Sequence, residues 1–520
     1  MTAHRGELVA QAREQWGTRA GFILAAVGSA IGLGNIWRFP DTAFKAGGGS
    51  FLVPYIIALL TAAIPLLIME YAIGHKNRAS PPLAFRRVSR SLQPIGWWQT
   101  AICVVIACYY ATIIAWAIRY VFFALDQSWS GAPDTATFFT EFVGVEAAGE
   151  TPSLVPGVAV PAILVWIATL VILGLGIRKG IEIASKIFIP LLIVVFGCLV
   201  VWSLTLEGAV DGLNAFFTPD WSRLFDTNVW LLVYGQLFFS LSVGFGIMVT
   251  YASYLRRRAD LSGPALVAGF ANSSFEILAG IGVFAALGFM AASQGTTVEQ
   301  VVADGVGLAF FSFPTIISEL PFGSVGNGLF GVLFFGSLVI AGFTSLVSIV
   351  QVVISTVQDR LGTGRWFTVA VVGVPMAVVS VGLFASTQGL NFLDVADHYI
   401  NHYGIAAAAF VSLVIVAVLL RKLPQLRDHL NRYSSIKVGW WWFITLGVLT
   451  PIGLGAVLIH SLIGEFQNPY GEGEYSNAFL FWSGWVVAIG AFVFGIVMSL
   501  IPWRNADRIE TESISKEGSA

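Results

Sequence analysis

Residues 27–40 have the sequence VGSAIGLGNIWRFP, which lies inside a hydrophobic segment and yet cannot form an uninterrupted membrane helix. Gly28, Gly32 and Gly34 each weaken helix formation. Asn35 and Arg38 add an amide and a fixed positive charge at a depth where lipid penalises both. We therefore predict that this segment faces protein or a water-filled cavity and that its helix is broken near the middle of the membrane.

The composition places the rest of the chain in a membrane as well. Of 520 residues, 56% are hydrophobic and 11% are charged, and the mean hydropathy is +0.79, which excludes a soluble protein. About twelve apolar windows reach the length of about 20 residues that a bilayer requires. Cys103, Cys108 and Cys198 all fall in such windows, so we expect buried thiols.

The order of these windows predicts an all-α polytopic membrane protein with about 12 transmembrane helices, called spans 1 to 12 below. The predicted divisions are a cytoplasmic N-terminal segment (1–17), spans 1–5 (18–205), spans 6–10 (228–421), spans 11 and 12 (438–503) and a cytoplasmic tail (504–520).

Basic residues concentrate in alternate loops, as in the runs at 86–87, 256–258 and 421–422, and acidic residues concentrate in the others. Because basic loops stay in the cytoplasm, both termini are expected there. The outward loops contain no Asn-X-Ser/Thr acceptor site, so nothing indicates a glycosylated eukaryotic surface. We expect a multi-pass protein of a prokaryotic inner (plasma) membrane.

A second interruption is predicted in span 6, where residues 235–251 read GQLFFSLSVGFGIMVTY. Ser240, Ser242, Gly244 and Gly246 cluster there at mid-membrane depth. Span 6 follows span 1 by five spans, an odd number, so the two halves of the chain insert in opposite orientations. Paired broken helices in an inverted repeat are typical of transporters with a binding site at the bilayer midplane.

Several separated motifs resemble, in order, the neurotransmitter:sodium symporter family. They are residues 16–40, the glycine turn at 47–49, Glu70, the pair Tyr109 and Tyr110, residues 236–254 and residues 341–345. The resemblance covers spans 1 to 10, whereas spans 11 and 12 match only in kind. It implies a LeuT-like inverted repeat of 5+5 helices with two additional C-terminal helices, and a sodium symporter that is not an enzyme.

An amino acid zwitterion in a membrane needs a partner for each of its charges. Free N–H groups where the helix restarts after Gly32 suit a carboxylate, and open carbonyls such as those of Ala30 and Phe239 suit an ammonium. The resemblance implies that Tyr110 donates to the carboxylate, and that glycine at position 32, where amine carriers have aspartate, favours amino acids.

The implied substrate-binding residues are all uncharged, so we expect a neutral, mostly hydrophobic amino acid. They are Ser29, Ala30, Gly32, Leu33, Gly34, Ile106, Tyr110, Phe239, Ser240, Ser242, Phe245, Ser345 and Ile349.

The resemblance also implies two sodium sites built from neutral oxygens, which suit a hard cation. The first would use Ala30, Asn35, Ser240 and Asn272. The second would use Gly28, Ile31, Ala341, Thr344 and Ser345. Because the substrate carboxylate would complete the first site, ion and substrate would stabilise each other's binding. No organic cofactor is expected.

Glu276 lies one helical turn after Asn272 and is expected beside the first sodium ion. Chloride-dependent members of the family have serine at this position and use it to bind the anion. A built-in carboxylate would replace that anion, so we expect chloride-independent transport, with proton exchange by Glu276 on the return step left open.

A charged pair is implied for the gate on each side of the membrane. Arg38 and Asp397 would close the outer side, and Arg13 and Asp359 the inner side, with Trp16, Tyr254 and Gln351 nearby. Partly hydrated pairs contribute on the order of 1 kcal/mol each, which suits a gate that opens in every cycle. Gly180 and Pro190 match a family motif that would let span 5 unwind.

Two alternatives remain open from the sequence. The same architecture would serve a proton-coupled or exchange carrier, and a non-transporting amino acid sensor would bind substrate without uptake. His398 and His402 have the i, i+4 spacing of a metal-binding pair, but no metalloprotease-type glutamate follows, and we expect no metal there. Expected partners are a neutral amino acid and the lipid bilayer, with a homodimer possible and no nucleic acid.

Overall fold

The computed structural model of the chain describes residues 13–301 and 305–503. The beginning of the predicted N-terminal segment (1–12) and the predicted tail (504–520) lie outside the described residues. Within that range almost all of the chain is helical, and short non-helical loops connect the helices.

Ten helices among the described residues are long and apolar enough to cross a membrane. They are span 2 (Gly49–Asn77), span 3 (Arg90–Asp126), span 4 (Pro156–Gly174), span 5 (Ile177–Ser203), span 7 (Ser262–Gln294), span 8 (Gly323–Leu361), span 9 (Arg365–Phe384), span 10 (Gly389–Leu419), span 11 (Trp440–Gln467) and span 12 (Asn477–Leu500).

The two remaining spans are interrupted where the sequence predicts it. Span 1 consists of Arg19–Ala30, Leu33–Ile36 and Arg38–Lys45, and span 6 consists of Thr227–Ser240 and Ile247–Ser253. With these two interrupted segments, the described residues account for about the twelve predicted spans, and the predicted all-α polytopic fold with breaks in spans 1 and 6 is confirmed.

Glycines explain the interruption of span 6. Gly244 and Gly246 have φ values of +92° and +84°, which L-amino acids with side chains rarely adopt. Helical hydrogen bonding therefore stops after Ser240 and resumes at Ile247. In span 1 the chain instead becomes extended at Ile31 and Gly32, which exposes peptide groups on both sides of the gap.

Spans 3 and 8 form the centre of the bundle. In an 18-residue apolar window, 89% of span 8 and 78% of span 3 is buried, whereas the corresponding share is 28% in spans 11 and 12. The first half of span 1 packs against spans 5, 7 and 8, and the second half of span 6 packs against span 2. Both interruptions thus lie inside protein, where polar backbone is tolerated.

Shorter helices lie between the spans and cover the ends of the bundle. They are Pro81–Val88, Thr135–Val143, Ala209–Phe217, Phe313–Glu319 and Leu423–Tyr433. The bundle has two ends that are named below by their arginines, the Arg13 end and the Arg38 end.

One expectation about the cysteines is wrong. Cys103 and Cys108 are buried, but Cys198 is exposed on the surface of span 5. Only 33% of an 18-residue apolar window of span 5 is buried, so many of its apolar residues face outward from the bundle.

Candidate functional site

A cavity of about 440 Å³ lies between the two interruptions and is walled by spans 3, 8 and 10. Its lining is Ser29, Ala30, Gly32, Gly34, Asn35, Ile106, Tyr109, Tyr110, Phe239, Ser240, Ser242, Phe245, Ser345, Ile349 and Ile405. Every predicted substrate residue lines this cavity except Leu33. The Leu33 N–H contacts the Tyr110 hydroxyl, but its side chain is buried outside the cavity. Ile405 and Tyr109 complete the lining and were not among the predicted substrate residues.

At one end of the cavity a backbone N–H and two hydroxyls lie around Gly32. The N–H of Leu33, the first residue of the restarted helix, donates to the Tyr110 hydroxyl over 3.2 Å. A Cβ atom on Gly32 would lie 2.9 Å from Tyr110 Oη and 3.1 Å from Ser345 Oγ. Only glycine therefore leaves space between these two hydroxyls.

A hydroxyl joins the two interruptions at the other side of the cavity. Ser242 Oγ donates to the Ser29 carbonyl over 2.7 Å, and both groups are buried. Ser242 has φ +54°, an unusual value for a residue with a side chain. Ser29, which also lines the cavity, donates its hydroxyl to the Ala26 carbonyl of its own helix over 3.0 Å.

The side chains predicted for the first sodium site meet in one chain of hydrogen bonds. Asn35 Nδ2 donates to Asn272 Oδ1 over 2.8 Å, and Asn272 Nδ2 donates to Ser240 Oγ over 2.6 Å. The N–H of Gly32 donates to Asn35 Oδ1 over 2.8 Å. All three side chains are at most 3% exposed. Residues from spans 1, 6 and 7 thus bring neutral oxygens into one buried cluster.

Glu276 is fully buried next to this cluster. Its carboxylate accepts a hydrogen bond from Gln236 Nε2 over 2.6 Å and another from the Tyr55 hydroxyl, whose oxygen lies 2.9 Å from Ser273 Oγ and can accept from it. Neutral donors thus surround the carboxylate. A buried carboxylate without a basic partner provides negative charge where a cation would need it.

The residues predicted for the second sodium site also come together. Ser345 Oγ lies 3.4 Å from both the Gly28 and the Ile31 carbonyl oxygens, at the end of the first helical piece of span 1. Thr344 Oγ1 donates to the Ala341 carbonyl over 3.1 Å. Span 8 therefore supplies hydroxyls next to the open carbonyls of span 1.

Glu70 supports the interruption of span 6. Its Oε1 accepts a hydrogen bond from the Gly244 N–H over 2.8 Å, and the side chain is 2% exposed. This contact satisfies a backbone donor that the missing helical turn leaves free.

The Arg13 end is closed. Arg13 Nη1 contacts both carboxylate oxygens of Asp359, at 2.8 and 3.0 Å. Burial works against the charge of Arg13, but the Asp359 carboxylate more than offsets this, so the pKa of Arg13 is raised. Trp16 Nε1 donates to the Tyr251 carbonyl over 2.9 Å, and Gln351 Nε2 donates to the Tyr254 hydroxyl over 2.8 Å.

The predicted pair at the Arg38 end is not formed. Within the described residues no nitrogen of Arg38 lies within 4.0 Å of an Asp397 oxygen, and the guanidinium lies over the Phe239 ring at 4.4 Å. Asp397 instead accepts a hydrogen bond from the Tyr109 hydroxyl over 2.7 Å. Among the described residues, the predicted ion pair is thus formed at the Arg13 end of the bundle and absent at the Arg38 end.

His398 and His402 contact different partners. His398 Nε2 lies 2.9 Å from Glu465 Oε2, and His402 Nδ1 lies 2.8 Å from the His398 carbonyl. His398 thus joins span 10 to span 11, whereas His402 contacts the backbone of its own helix.

Comparison with known proteins gives a consistent result over nearly the whole chain. The model of the Sodium:neurotransmitter symporter family matches residues 13–143 and 132–508. An uncharacterized sodium-dependent transporter of Methanocaldococcus jannaschii is 39% identical over 487 residues, which cover 94% of this chain and 97% of the relative.

More distant relatives are also sodium-dependent transporters by name. An uncharacterized sodium-dependent transporter of Bacillus subtilis is 29% identical, with 86% of this chain and 98% of the relative covered. The sodium- and chloride-dependent neutral and basic amino acid transporter B(0+) of Mus musculus is 27% identical, with 94% and 86% covered.

Proposed function

The chain belongs to the sodium:neurotransmitter symporter family, and on that premise we propose that it imports a neutral, mostly hydrophobic amino acid together with sodium. As a member of the family it is a sodium-dependent membrane transporter and not an enzyme. The substrate class, the two sodium sites and the independence from chloride are the proposal. The observation that carries it is the uncharged cavity between two broken helices, with N–H and hydroxyl donors at one end.

The chemistry of the cavity supports an amino acid substrate. The Leu33 N–H and the Tyr110 hydroxyl would bind the carboxylate in the space that Gly32 leaves open. Apolar side chains such as Ile106 and Ile349 line the wall, and among the described residues no acidic or basic side chain does. A charged side chain would enter without a partner, which is costly in a buried site.

Coupling to sodium would follow from shared ligands. The buried amides of Asn35 and Asn272 and the Ser240 hydroxyl would bind the first ion next to the substrate carboxylate. The second ion would bind between span 1 and span 8 at Ser345. An ion that contacts the carboxylate raises the affinity for substrate, and the substrate raises the affinity for the ion by the same factor.

The closed Arg13 end and the unlocked Arg38 end fit one state of an alternating-access cycle. We place the Arg13 end on the cytoplasmic side of a prokaryotic inner membrane, because the basic loops lie at that end.

The test of this function is uptake into vesicles that contain the purified protein. A sodium gradient is expected to drive accumulation of a neutral amino acid, and choline in place of sodium with the same pH gradient is expected to stop it. Uptake that persists in choline would instead indicate the proton-coupled or exchange carrier. Sodium-dependent binding without any uptake would indicate a sensor.

Chloride independence gives a separate prediction. Replacing chloride by gluconate is expected to leave the uptake rate unchanged, because Glu276 supplies the negative charge beside the first sodium site. Glu276→Ser is expected to reduce uptake in gluconate by about tenfold, the loss expected for one buried charge-assisted contact. Chloride is expected to restore the uptake of this variant. Collapse of wild-type uptake in gluconate would refute the assignment of Glu276.

A further inference from the structure

Residues 13–18, which we call the latch, cross the start of span 5. A carboxylate on each of the two segments accepts hydrogen bonds from the other segment. Glu14 Oε2, on the latch, accepts a hydrogen bond from the Ile177 N–H over 2.7 Å. Glu182, on span 5, accepts hydrogen bonds from the Gly17 N–H at 2.6 Å and the Thr18 hydroxyl at 2.7 Å. Each segment thus supplies a carboxylate to the other.

The backbone between these two contacts is not α-helical. Residues Ile177–Ile181 form a π-helical turn, and Gly176 before it has φ +93°. Such turns are rare and are frequent at functional sites. Glu182 is the first residue after the turn, so its contacts and the Ile177 contact bracket the turn.

The Glu182 carboxylate is buried inside the protein and does not lie on its surface. Its side chain is 2% exposed, and a Cβ atom on Gly21 would lie 2.3 Å from Glu182 Cγ. Span 1 therefore needs a glycine at this position to approach the carboxylate. Lys186 adds a contact at 2.6 Å from the same helix, but that lysine is more than a third exposed.

The latch also connects Glu182 to the closed end of the bundle. Thr18, which caps the first helix of span 1, lies five positions after Arg13, which binds Asp359 on span 8. Glu14 additionally contacts Arg365 Nη1 of span 9 at 3.1 Å. The latch is therefore fixed at one end to span 8 and at the other end to span 5.

We infer that Glu182 is a positioning residue for the gate at the Arg13 end, which ties release of the latch to opening of the π-turn in span 5. Pulling the latch away would leave a buried carboxylate without two of its donors, so the latch and the first turn of span 5 separate together. The inference rests on the proposed alternating-access function, but not on the identity of the substrate.

The test measures thiol accessibility at both ends of the bundle in Glu182→Gln protein. The reporters are Ser348→Cys, a buried position on span 8 at the Arg13 end, and Ala406→Cys, at the cavity near Arg38, each in a Cys198→Ser background. Without sodium or substrate, Glu182→Gln is expected to raise the maleimide labelling rate at Ser348→Cys by about tenfold, the effect of weakening a charge-assisted contact. Labelling at Ala406→Cys is expected to fall, because the two ends open alternately.

A matched control removes the other partner of Glu182. Lys186→Met deletes the half-exposed contact but keeps the bonds to Gly17 and Thr18, so both labelling rates are expected to stay within about twofold of the parent. Glu14→Gln is expected to shift both rates in the same directions as Glu182→Gln. Saturating sodium is expected to reverse these shifts.

Two results would overturn the inference. If Glu182→Gln raises labelling at both reporters, Glu182 only holds the fold together. If it changes neither, the carboxylate does not control the gate. Because no substrate is present, these outcomes are independent of the uptake experiment, so a failure of the amino acid assignment is distinguishable from a failure of this one.

Discussion

Asn35→Ala is expected to abolish sodium-dependent substrate binding, with a loss of at least about a hundredfold in apparent sodium affinity. The amide accepts from the Gly32 N–H and donates to Asn272, and all of these groups are buried. Alanine would remove one sodium ligand and leave two buried partners unpaired, each at about 1–3 kcal/mol. The measurement is substrate binding by the purified protein as a function of sodium concentration.

Asn401→Ala is the matched control, because Asn401 is a second buried amide in the membrane. Within the described residues its side-chain atoms have no hydrogen-bond partner, and it lies outside the Asn35 cluster. Its removal is expected to change the apparent sodium affinity by less than about threefold, since no paired group is left behind. Unchanged affinity and salt response in Asn35→Ala would show that the first ion binds elsewhere.

Gly32→Ala is expected to lower substrate affinity by at least about a hundredfold, in line with the cost of overpacking a tight site. The added Cβ would lie 2.9 Å from Tyr110 Oη and 3.1 Å from Ser345 Oγ, in the space proposed for the carboxylate. Gly32 has an extended backbone, with φ −123° and ψ −169°, so alanine fits the conformation and only the space is lost. Equilibrium binding of a labelled neutral amino acid at saturating sodium measures the effect.

Gly336→Ala serves as the control for this substitution. It adds the same methyl group in span 8, at a position where, apart from the adjoining backbone of its own helix, a Cβ would meet no atom of the described residues within 4 Å. Affinity close to that of the parent is expected there. If Gly32→Ala also binds as the parent does, the carboxylate does not occupy the space beside Gly32.

The broken helices could be predicted because their causes are local. Glycines at positions 244 and 246 take left-handed conformations, and the polar run around Asn35 cannot face lipid. The cavity lining followed from the resemblance, which supplied the residues of spans 3 and 8. Periodicity alone would not have placed Tyr110 or Ser345 beside Gly32.

Other features depend on contacts between distant residues. Asp397 was expected to pair with Arg38, but it accepts a hydrogen bond from the Tyr109 hydroxyl instead. The two residues are 288 positions apart, so the sequence alone did not indicate this contact. Glu182 stands among basic residues at the start of a helix, which is the usual setting of a solvated side chain, and it is buried where Gly17 and Gly21 approach it. Cys198 lies in the uniformly apolar stretch 187–202 of span 5, so hydrophobicity did not indicate which face points outward.

Calorimetric titration of the purified protein with the standard amino acids, in sodium and in choline, tests the central claim most directly. The account predicts binding of neutral, apolar amino acids in sodium only, with no binding of charged ones or of the corresponding amines that lack a carboxylate. Equally tight binding in choline, or tight binding of such an amine, would contradict the claim that two broken helices hold a zwitterion through its sodium ion.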